Sequence, residues 1–333
     1  MVLKRTKARI IGLGSYLPEH VLTNQDLEKM VETSDEWIVS RTGMKERRIA
    51  DKTEFSSDMG VAAARQAIKN AKIDPNQIDL ILVATMTPDY ISPSTAAIVQ
   101  SMLDIQDAAA MDVQAACTGF LYGLSIAKAY IDSGIYRNIL LVASEKMSSF
   151  IDYSDRNTCV LFGDGAAAAI ISDKGAGLAI DNVNLGADGS LAELLFIPGG
   201  GTRNPATCAS VGEKMHYIKM NGRELFKHAV RRMSQTSITC LEQAGLTKDD
   251  ISWLIPHQAN ERIIDVIAKG LELPLEKVFK TMHKYGNTSA SSIAIALDEL
   301  TQQHKIKQKE HLLLVAFGAG LTWGAVLLTQ RSR

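Results

Sequence analysis

One pattern recurs in the two halves of the chain, and it limits the possible folds more than any other feature. In the first half the strand-like run IDLILVAT (78–85) is followed by Cys117, at the end of MDVQAA, and then by NILLVAS (138–144). In the second half ISWLIPH (251–257) is followed by Asn287 in KYGNTSA and then by HLLLVAF (311–317). The spacings agree closely: 39 residues from 78 to 117 against 36 from 251 to 287, then 21 to position 138 against 24 to position 311. A duplicated unit that cannot cover its own apolar face packs against its copy. Equivalent points of the two copies then meet at one cleft. The pattern breaks at DKGAG, near Ser172–Gly177, so the expected units are residues 1–174 and 175–333.

Each unit reads as α/β. Ala8–Leu13, Leu80–Ala84, Ala109–Val113, Ile139–Ala143 and Ala166–Ile171 are short apolar runs of the buried-strand kind. Met59–Ala71 and Gly119–Ser133 carry helical spacing between them, and the alternation calls for helices covering a sheet. Leu312–Leu328 is uncharged and close to membrane-span length, but Gly318, Gly320 and Gly324 interrupt it. It reads as two buried strands around a glycine turn, and no membrane association is expected.

Charge and cysteine usage narrow the function. Lys plus Arg number 36 against 37 Asp plus Glu, a net charge of −1, which disfavours a nucleic-acid binder. The four cysteines, Cys117, Cys159, Cys208 and Cys240, form no CxxC pair. A zinc knuckle or disulfide scaffold is therefore not expected, and a reducing cytoplasm is. The basic start MVLKRTKARIIGLGSYLPEH lacks the apolar core and cleavage site of a secretory signal.

Three residues stand at the predicted cleft. Cys117 follows a strand and precedes a helix pattern marked by Phe120, Leu121, Leu124 and Ala127. A helix N-terminus lowers a thiol pKa, and the small Ala115, Ala116 and Gly119 leave room for a substrate. The competing reading is a buried, inert cysteine, which is the reading kept for Cys159, Cys208 and Cys240. His257 closes the strand WLIPH, and Asn287 precedes a small-residue helix pattern. Taken singly, these are an ordinary histidine and a turn or cap asparagine. Together with Cys117 they make a nucleophile that can hold an acyl group, facing two N–H donors able to stabilise an enolate. A cysteine protease uses the same residue types, with His as base and Asn orienting it.

Several longer segments carry a resemblance that spans nearly the whole chain. They are GLGSYLPE (12–19), TSDEWIVSRTGMKERRI (33–49), QAACTGFLYGLSIA (114–127), DRNTCVLFGDGAAAA (155–169), PHQANERII (256–264), HKYGNTSASS (283–292) and FGAGLTWG (317–324). The sequence resembles the β-ketoacyl-[acyl-carrier-protein] synthase III branch of the thiolase-fold condensing enzymes. That resemblance implies a thiolase-like fold, two pseudo-duplicated halves in αβαβα layers, and a catalytic trio at Cys117, His257 and Asn287. It implies acyl transfer, usually of acetyl, from acyl-CoA to Cys117. Decarboxylative condensation with malonyl-acyl-carrier protein would follow, giving 3-ketoacyl-carrier protein and CO₂. An oxyanion hole would use the backbone N–H groups of Cys117 and Ala319. The family usually has three glycines where this chain has Gly318-Ala319-Gly320. A homodimer is implied, with no metal and no cofactor, CoA entering as substrate.

On the CoA side, Thr33-Ser34-Asp35-Glu36 reads as a capping box. Trp37 and Arg41 then share a helix face suited to an adenine ring and a phosphate. The resemblance adds Arg156 on the other side of the adenine, Thr33 beside it, and Asn260 at the pantetheine arm. Arg262 and Lys269, seven apart on one helix, with Lys227 nearby, are the expected docking face for an acidic carrier protein. The resemblance places the loop TMTPDYISPS (85–94) at the acyl pocket, partly across a dimer interface. Ser92 there replaces a frequent bulky aromatic, which suggests room for primers longer than acetyl.

Overall fold

The structure is a computed structural model that describes residues 7–332. Residues 1–6, the start of the basic N-terminal stretch, and residue 333 lie outside it. Nine strands form one mixed sheet: β1 (Arg9–Tyr16), β2 (Leu80–Ala84), β3 (Ala109–Val113), β4 (Asn138–Glu145), β5 (Gly165–Ser172), β6 (Gly177–Ala187), β7 (Ile251–Pro256), β8 (His311–Gly318) and β9 (Thr322–Arg331). Their order is β7-β8-β9-β6-β1-β5-β4-β2-β3.

That order displays the repeat. Outward from the centre, β1, β5, β4 and β2 correspond to β6, β9, β8 and β7. In each series the first two pairings are antiparallel and the third is parallel. β3 extends the first series in parallel beside β2. Its counterpart in the second is reduced to a single parallel bridge between Leu254 and Val278. Within the sheet the copies join where β1 meets β6, Arg9 pairing with Ala179 and Ile10 with Leu178.

Long helices cover this sheet: α1 (Asp35–Thr42), α2 (Ser56–Ala71), α3 (Thr95–Met102), α4 (Gly119–Ser133), α5 (Gly222–Ala244), α6 (Glu261–Gly270) and α7 (Ser291–Gln303). Alternation along the strands decides the layers, because successive side chains point to opposite faces. Leu82, Ala84, Leu141 and Ala143 pack with Leu312, Leu314, Ala316 and Val326 around α4 and α7. Their neighbours Ile81, Val83, Leu140 and Val142 turn outward to α2 and α3. Leu313, Val315, Ala325 and Leu327 turn outward to α5 and α6. The layers are therefore αβαβα, with α4 and α7 in the middle, matching the thiolase-like arrangement. Strands buried on both faces read as unbroken apolar runs, which is why Leu312–Leu328 looked like a membrane span. It is β8, a turn and β9. No described helix is long and apolar enough to cross a membrane.

Candidate active site

Cys117 and Asn287 reach the same place because α4 and α7, the equivalent helices of the two copies, lie side by side in the central layer. After β3 the chain makes a 3-10 turn, Ala116–Thr118, that leads directly into α4. Ala116 takes a left-handed backbone (φ 45°), and the turn presents the buried Cys117. Gly318 closes the other side. A Cβ there would stand 2.9 Å from Cys117 N and 3.0 Å from Cys117 Cβ.

The Cys117 thiol has a different resting state from the one its helix-end position suggests. Burial pushes it up to about 12, the nearby Glu145 adds to the rise, and a hydrogen bond from Ser289 opposes it. The Ser289 hydroxyl donates to Cys117 Sγ at 3.6 Å. The unliganded protein thus holds a thiol, and the expected lowering is overturned by desolvation of the charged form.

His257 sits just past the end of β7, where its backbone N–H donates to Val315 of β8 at 2.8 Å. Its Nδ1 is 2.7 Å from the Ser292 hydroxyl. That hydroxyl also accepts from the Gln258 N–H at 3.5 Å and still has its own proton to donate to Nδ1, an arrangement that puts the imidazole proton on Nε2. Burial holds the His257 pKa down to about 4, and the ring is neutral at physiological pH.

Asn287 is held by its backbone, with N–H to Leu161 O at 2.8 Å and O from Gly163 N–H at 3.1 Å. Gly286 before it has φ 66°, and a Cβ there would stand 2.8 Å from Leu161 O. Asn287 Oδ1 accepts the Ser289 N–H at 2.9 Å. With the oxygen occupied, the Nδ2 group is left to donate. Cys117, His257 and Asn287 line one cavity together with Asn260, Phe317 and Gly318. The arrangement offers one sulfur and two N–H donors. Asn287 does not orient His257, as a cysteine protease would require; Ser292 does.

On its other side Cys117 borders an apolar cavity of about 20 Å³, lined with it by Met86, Phe162, Phe196 and Ala319 among others. Ala319 fits the turn because Gly320 carries the positive φ, 137°, and Ala319 does not. Ser92 is exposed and lines neither cavity. Within this chain it does not shape the pocket, because its loop projects outward with Tyr90 and Ile91 exposed beside it.

At the outer end, Ser34 rather than Thr33 caps α1, its Oγ accepting the Trp37 N–H at 3.1 Å. The expected capping box at Thr33–Glu36 is therefore not formed; the Ser34 side chain alone caps the helix. Thr33 Oγ1 is left buried without a partner among the described residues. The Arg156 guanidinium lies over the Trp37 ring at 4.8 Å and donates to Glu32 O at 3.1 Å. Asn260 Nδ2 donates to Arg41 O at 3.0 Å, while its Oδ1 caps α6 through Arg262 N–H at 2.9 Å. Arg262 stands 5.9 Å over the Phe226 ring, and Phe226 lines the cavity that holds the trio. Lys227 pairs with Glu224 at 2.8 Å, and Lys269 is exposed in the last turn of α6. Cys159 and Cys240 are buried and Cys208 exposed, all as free thiols. No group of three His, Cys, Asp or Glu able to hold a metal is found among the described residues.

Three polar residues around the trio went unmarked in the sequence reading: Ser289, Ser292 and Glu145. The serines lie in NTSASS, noted only as a helix pattern. Glu145 ends the apolar run of β4, and a carboxyl closing a buried strand is the signal available for it.

Residues 111–189 match the family described as 3-oxoacyl-[acyl-carrier-protein (ACP)] synthase III, and residues 241–330 match its C-terminal counterpart. A β-ketoacyl-[acyl-carrier-protein] synthase III of Chlamydia caviae is 58% identical over 330 residues, covering 99% of this chain and 98% of the relative. The crystal structure of 3-oxoacyl-[acyl-carrier-protein] synthase III from Aquifex aeolicus VF5 superposes with a TM-score of 0.89 at 48% identity, over 97% of this chain and 99% of that one. The priming β-ketosynthase of the R1128 polyketide pathway superposes with a TM-score of 0.90 at 35% identity, over 100% of this chain and 98% of that one.

Proposed function

Because the chain belongs to the 3-oxoacyl-[acyl-carrier-protein] synthase III family, we propose that it initiates fatty acid synthesis by condensing an acyl-CoA primer with malonyl-acyl-carrier protein. The observation that carries this reading is the meeting of the Cys117 thiol with two N–H donors, His257 Nε2 and Asn287 Nδ2, in one cavity. Cys117 attacks the primer thioester, CoA leaves, and the acyl group stays on sulfur. The N–H groups of Cys117 and Ala319 are the proposed oxyanion donors for that transfer. Malonyl-carrier protein then enters. Loss of CO₂ leaves an enolate whose oxygen His257 and Asn287 stabilise, and its carbon attacks the acyl-Cys117 carbonyl. A neutral imidazole donating from Nε2 suits this role, because it stabilises the charge without surrendering a proton.

Acetyl is the proposed primer, since a cavity of about 20 Å³ has room for little more than a methyl-sized group. Trp37 and Arg156, already stacked, are proposed to open around the adenine, with Arg41 on phosphate and Thr33 and Asn260 along the CoA. Arg262, Lys227 and Lys269 are the proposed carrier-protein contacts. A second copy of this chain is the proposed partner at residues 85–94, where Tyr90 is 64% and Ile91 94% exposed. No metal or cofactor takes part in the proposed reaction, and its proposed location is the cytoplasm. Mass spectrometry after incubation with acetyl-CoA tests the reading: an acetyl group on Cys117, discharged by malonyl-carrier protein with CO₂ release, is expected. A protein that stays unlabelled, or that passes the acyl group to water instead, overturns it.

A further inference from the structure

Two threonines stand in the motifs that carry the proposed oxyanion donors, and the reaction outlined above leaves both without a task. Thr118 follows Cys117 and ends the 3-10 turn Ala116–Thr118. Thr322 opens β9 and pairs with Gly318 across the turn that carries Ala319. One belongs to each copy, 204 positions apart, yet their hydroxyls meet: Thr118 Oγ1 donates to Thr322 Oγ1 at 2.9 Å. Thr118 is fully buried there.

Each hydroxyl also holds its own turn. Thr322 Oγ1 donates to Ala319 O at 3.0 Å, with Ala115 O farther off at 3.5 Å. Thr118 Oγ1 lies 2.7 Å from Ala115 O, which also accepts the Thr118 N–H at 3.1 Å. A hydroxyl has one proton, so two protons cannot serve all three short contacts at once. Two chains of donation keep the contact between the turns: Thr118 to Thr322 to Ala319 O, or Thr322 to Thr118 to Ala115 O. Either one ties the Cys117 turn to the Ala319 turn.

We propose that Thr322, acting with Thr118, is a positioning residue that holds the Cys117 and Ala319 N–H groups on one oxyanion, and so serves acyl transfer to Cys117 but not enolate formation at His257 and Asn287. The proposal rests on the acyl-transfer reading. Two donors stabilise an oxyanion together only when both point at the same oxygen, and here they come from different copies. Packing of Gly318 on Cys117 sets how closely the turns approach, and the hydroxyl pair keeps them from sliding apart. The Cys117 turn needs such a tie, because the left-handed Ala116, φ 45°, persists only where its surroundings over-determine it. The Ala319 turn is anchored on its far side, where Leu321 and Asp188 exchange backbone bonds of 2.8 and 3.0 Å. Ala319 itself is held from within, through its carbonyl, by Thr322. His257 and Asn287 are fixed by other groups, Ser292 for the first and the backbone of Leu161 and Gly163 for the second.

Thr322→Val in the full chain tests the clasp, because it removes the hydroxyl and keeps the methyl that packs against Gly320. Single-turnover labelling of Cys117 by saturating acetyl-CoA should slow by about 10 to 10²-fold, as for a misplaced reacting group. Two readouts that form no oxyanion at Cys117 should keep their rates: alkylation of Cys117 by iodoacetamide, and malonyl decarboxylation measured in a Cys117→Ala background. Thr322→Ser, which restores the hydroxyl, should recover acetyl labelling. Thr118→Val cuts the same contact from the other copy and decides the matter should Thr322→Val not fold. Unchanged acetyl labelling, a parallel fall in all three rates, or a Thr322→Ser variant as slow as Thr322→Val overturns the clasp. An unsubstituted protein that takes no acetyl group would overturn the acyl-transfer reading and with it the purpose of the clasp, an outcome distinct from normal labelling of Thr322→Val, which overturns the clasp alone.

Discussion

The Ser292 hydroxyl lies 2.7 Å from His257 Nδ1, and with that hydroxyl as donor the imidazole presents Nε2–H to the cavity. Removing it frees the ring to carry its proton on Nδ1. Ser292→Ala should therefore slow malonyl decarboxylation by about 10-fold, within the range for a disturbed oxyanion donor. Acylation of Cys117 should remain near its original rate. Parallel CO₂-release and acyl-labelling assays separate the two, and an unchanged CO₂ rate would show that Ser292 does not set the tautomer.

The trio itself divides by reaction step. Cys117→Ala should abolish acyl labelling while leaving malonyl decarboxylation measurable. His257→Ala and Asn287→Ala should each lower decarboxylation by about 10² or more. Normal CO₂ release by Asn287→Ala would remove Asn287 from the proposed mechanism.

His257 and Glu145, both buried, have opposite pH signatures. His257 protonates in the unfolded chain below its ordinary 6.5, but in the fold only near 4. The unfolded state binds more protons between those values, so this group costs stability as pH falls through that window. Glu145 keeps its proton in the fold up to about 7, against an ordinary 4.5, so it costs stability as pH rises from about 4.5 to 7. The stability of Glu145→Gln relative to the unsubstituted protein should therefore improve across that rise, by on the order of 3 kcal/mol. Urea unfolding at several pH values reads this directly, and a difference that stays constant would contradict it. For the same reason a neutral His257 predicts that decarboxylation by Cys117→Ala is level from about pH 5 to 8 and falls only toward pH 4.

Gly318 packs against the nucleophile. A Cβ 2.9 Å from Cys117 N and 3.0 Å from Cys117 Cβ leaves no place for a methyl group without moving the Ala116–Thr118 turn. Gly318→Ala should cost about 1–3 kcal/mol of stability, as overpacking does, and slow single-turnover acylation of Cys117 by about 10-fold or more. Thermal unfolding together with a time course of acetyl labelling checks both. Full-speed acylation would show that the turn yields.

The proposed acetyl primer rests on the apolar cavity beside Cys117, which Ser92 does not line. In a competition among acetyl-, isobutyryl- and octanoyl-CoA, acetyl should dominate the label found on Cys117. Equal labelling by octanoyl-CoA would show that the Met86 and Phe196 walls move aside, or that the neighbouring copy opens the site.

Much of this protein was legible from residues alone, because the governing physics is local. Strands buried on both faces need unbroken apolar runs. Leu80–Ala84 accordingly has the bounds read from sequence, and Ile139–Ala143 and Ala166–Ile171 lie within β4 and β5. The duplication is written in spacing, so Cys117, His257 and Asn287 were identifiable as partners before any coordinate. Other properties depend on what surrounds a group after the chain has closed on itself. Desolvation, not the helix end, sets the Cys117 pKa. Ser292 chooses the face of His257, Ser289 chooses that of Asn287, and Glu145 stands at the seam between the copies. Ser292 lies 35 positions from His257 and Ser289 lies 172 from Cys117 in the chain, and desolvation exists only once packing has created it. Periodicity therefore announced which residues meet, while their protonation and orientation were decided by the environment formed at that meeting.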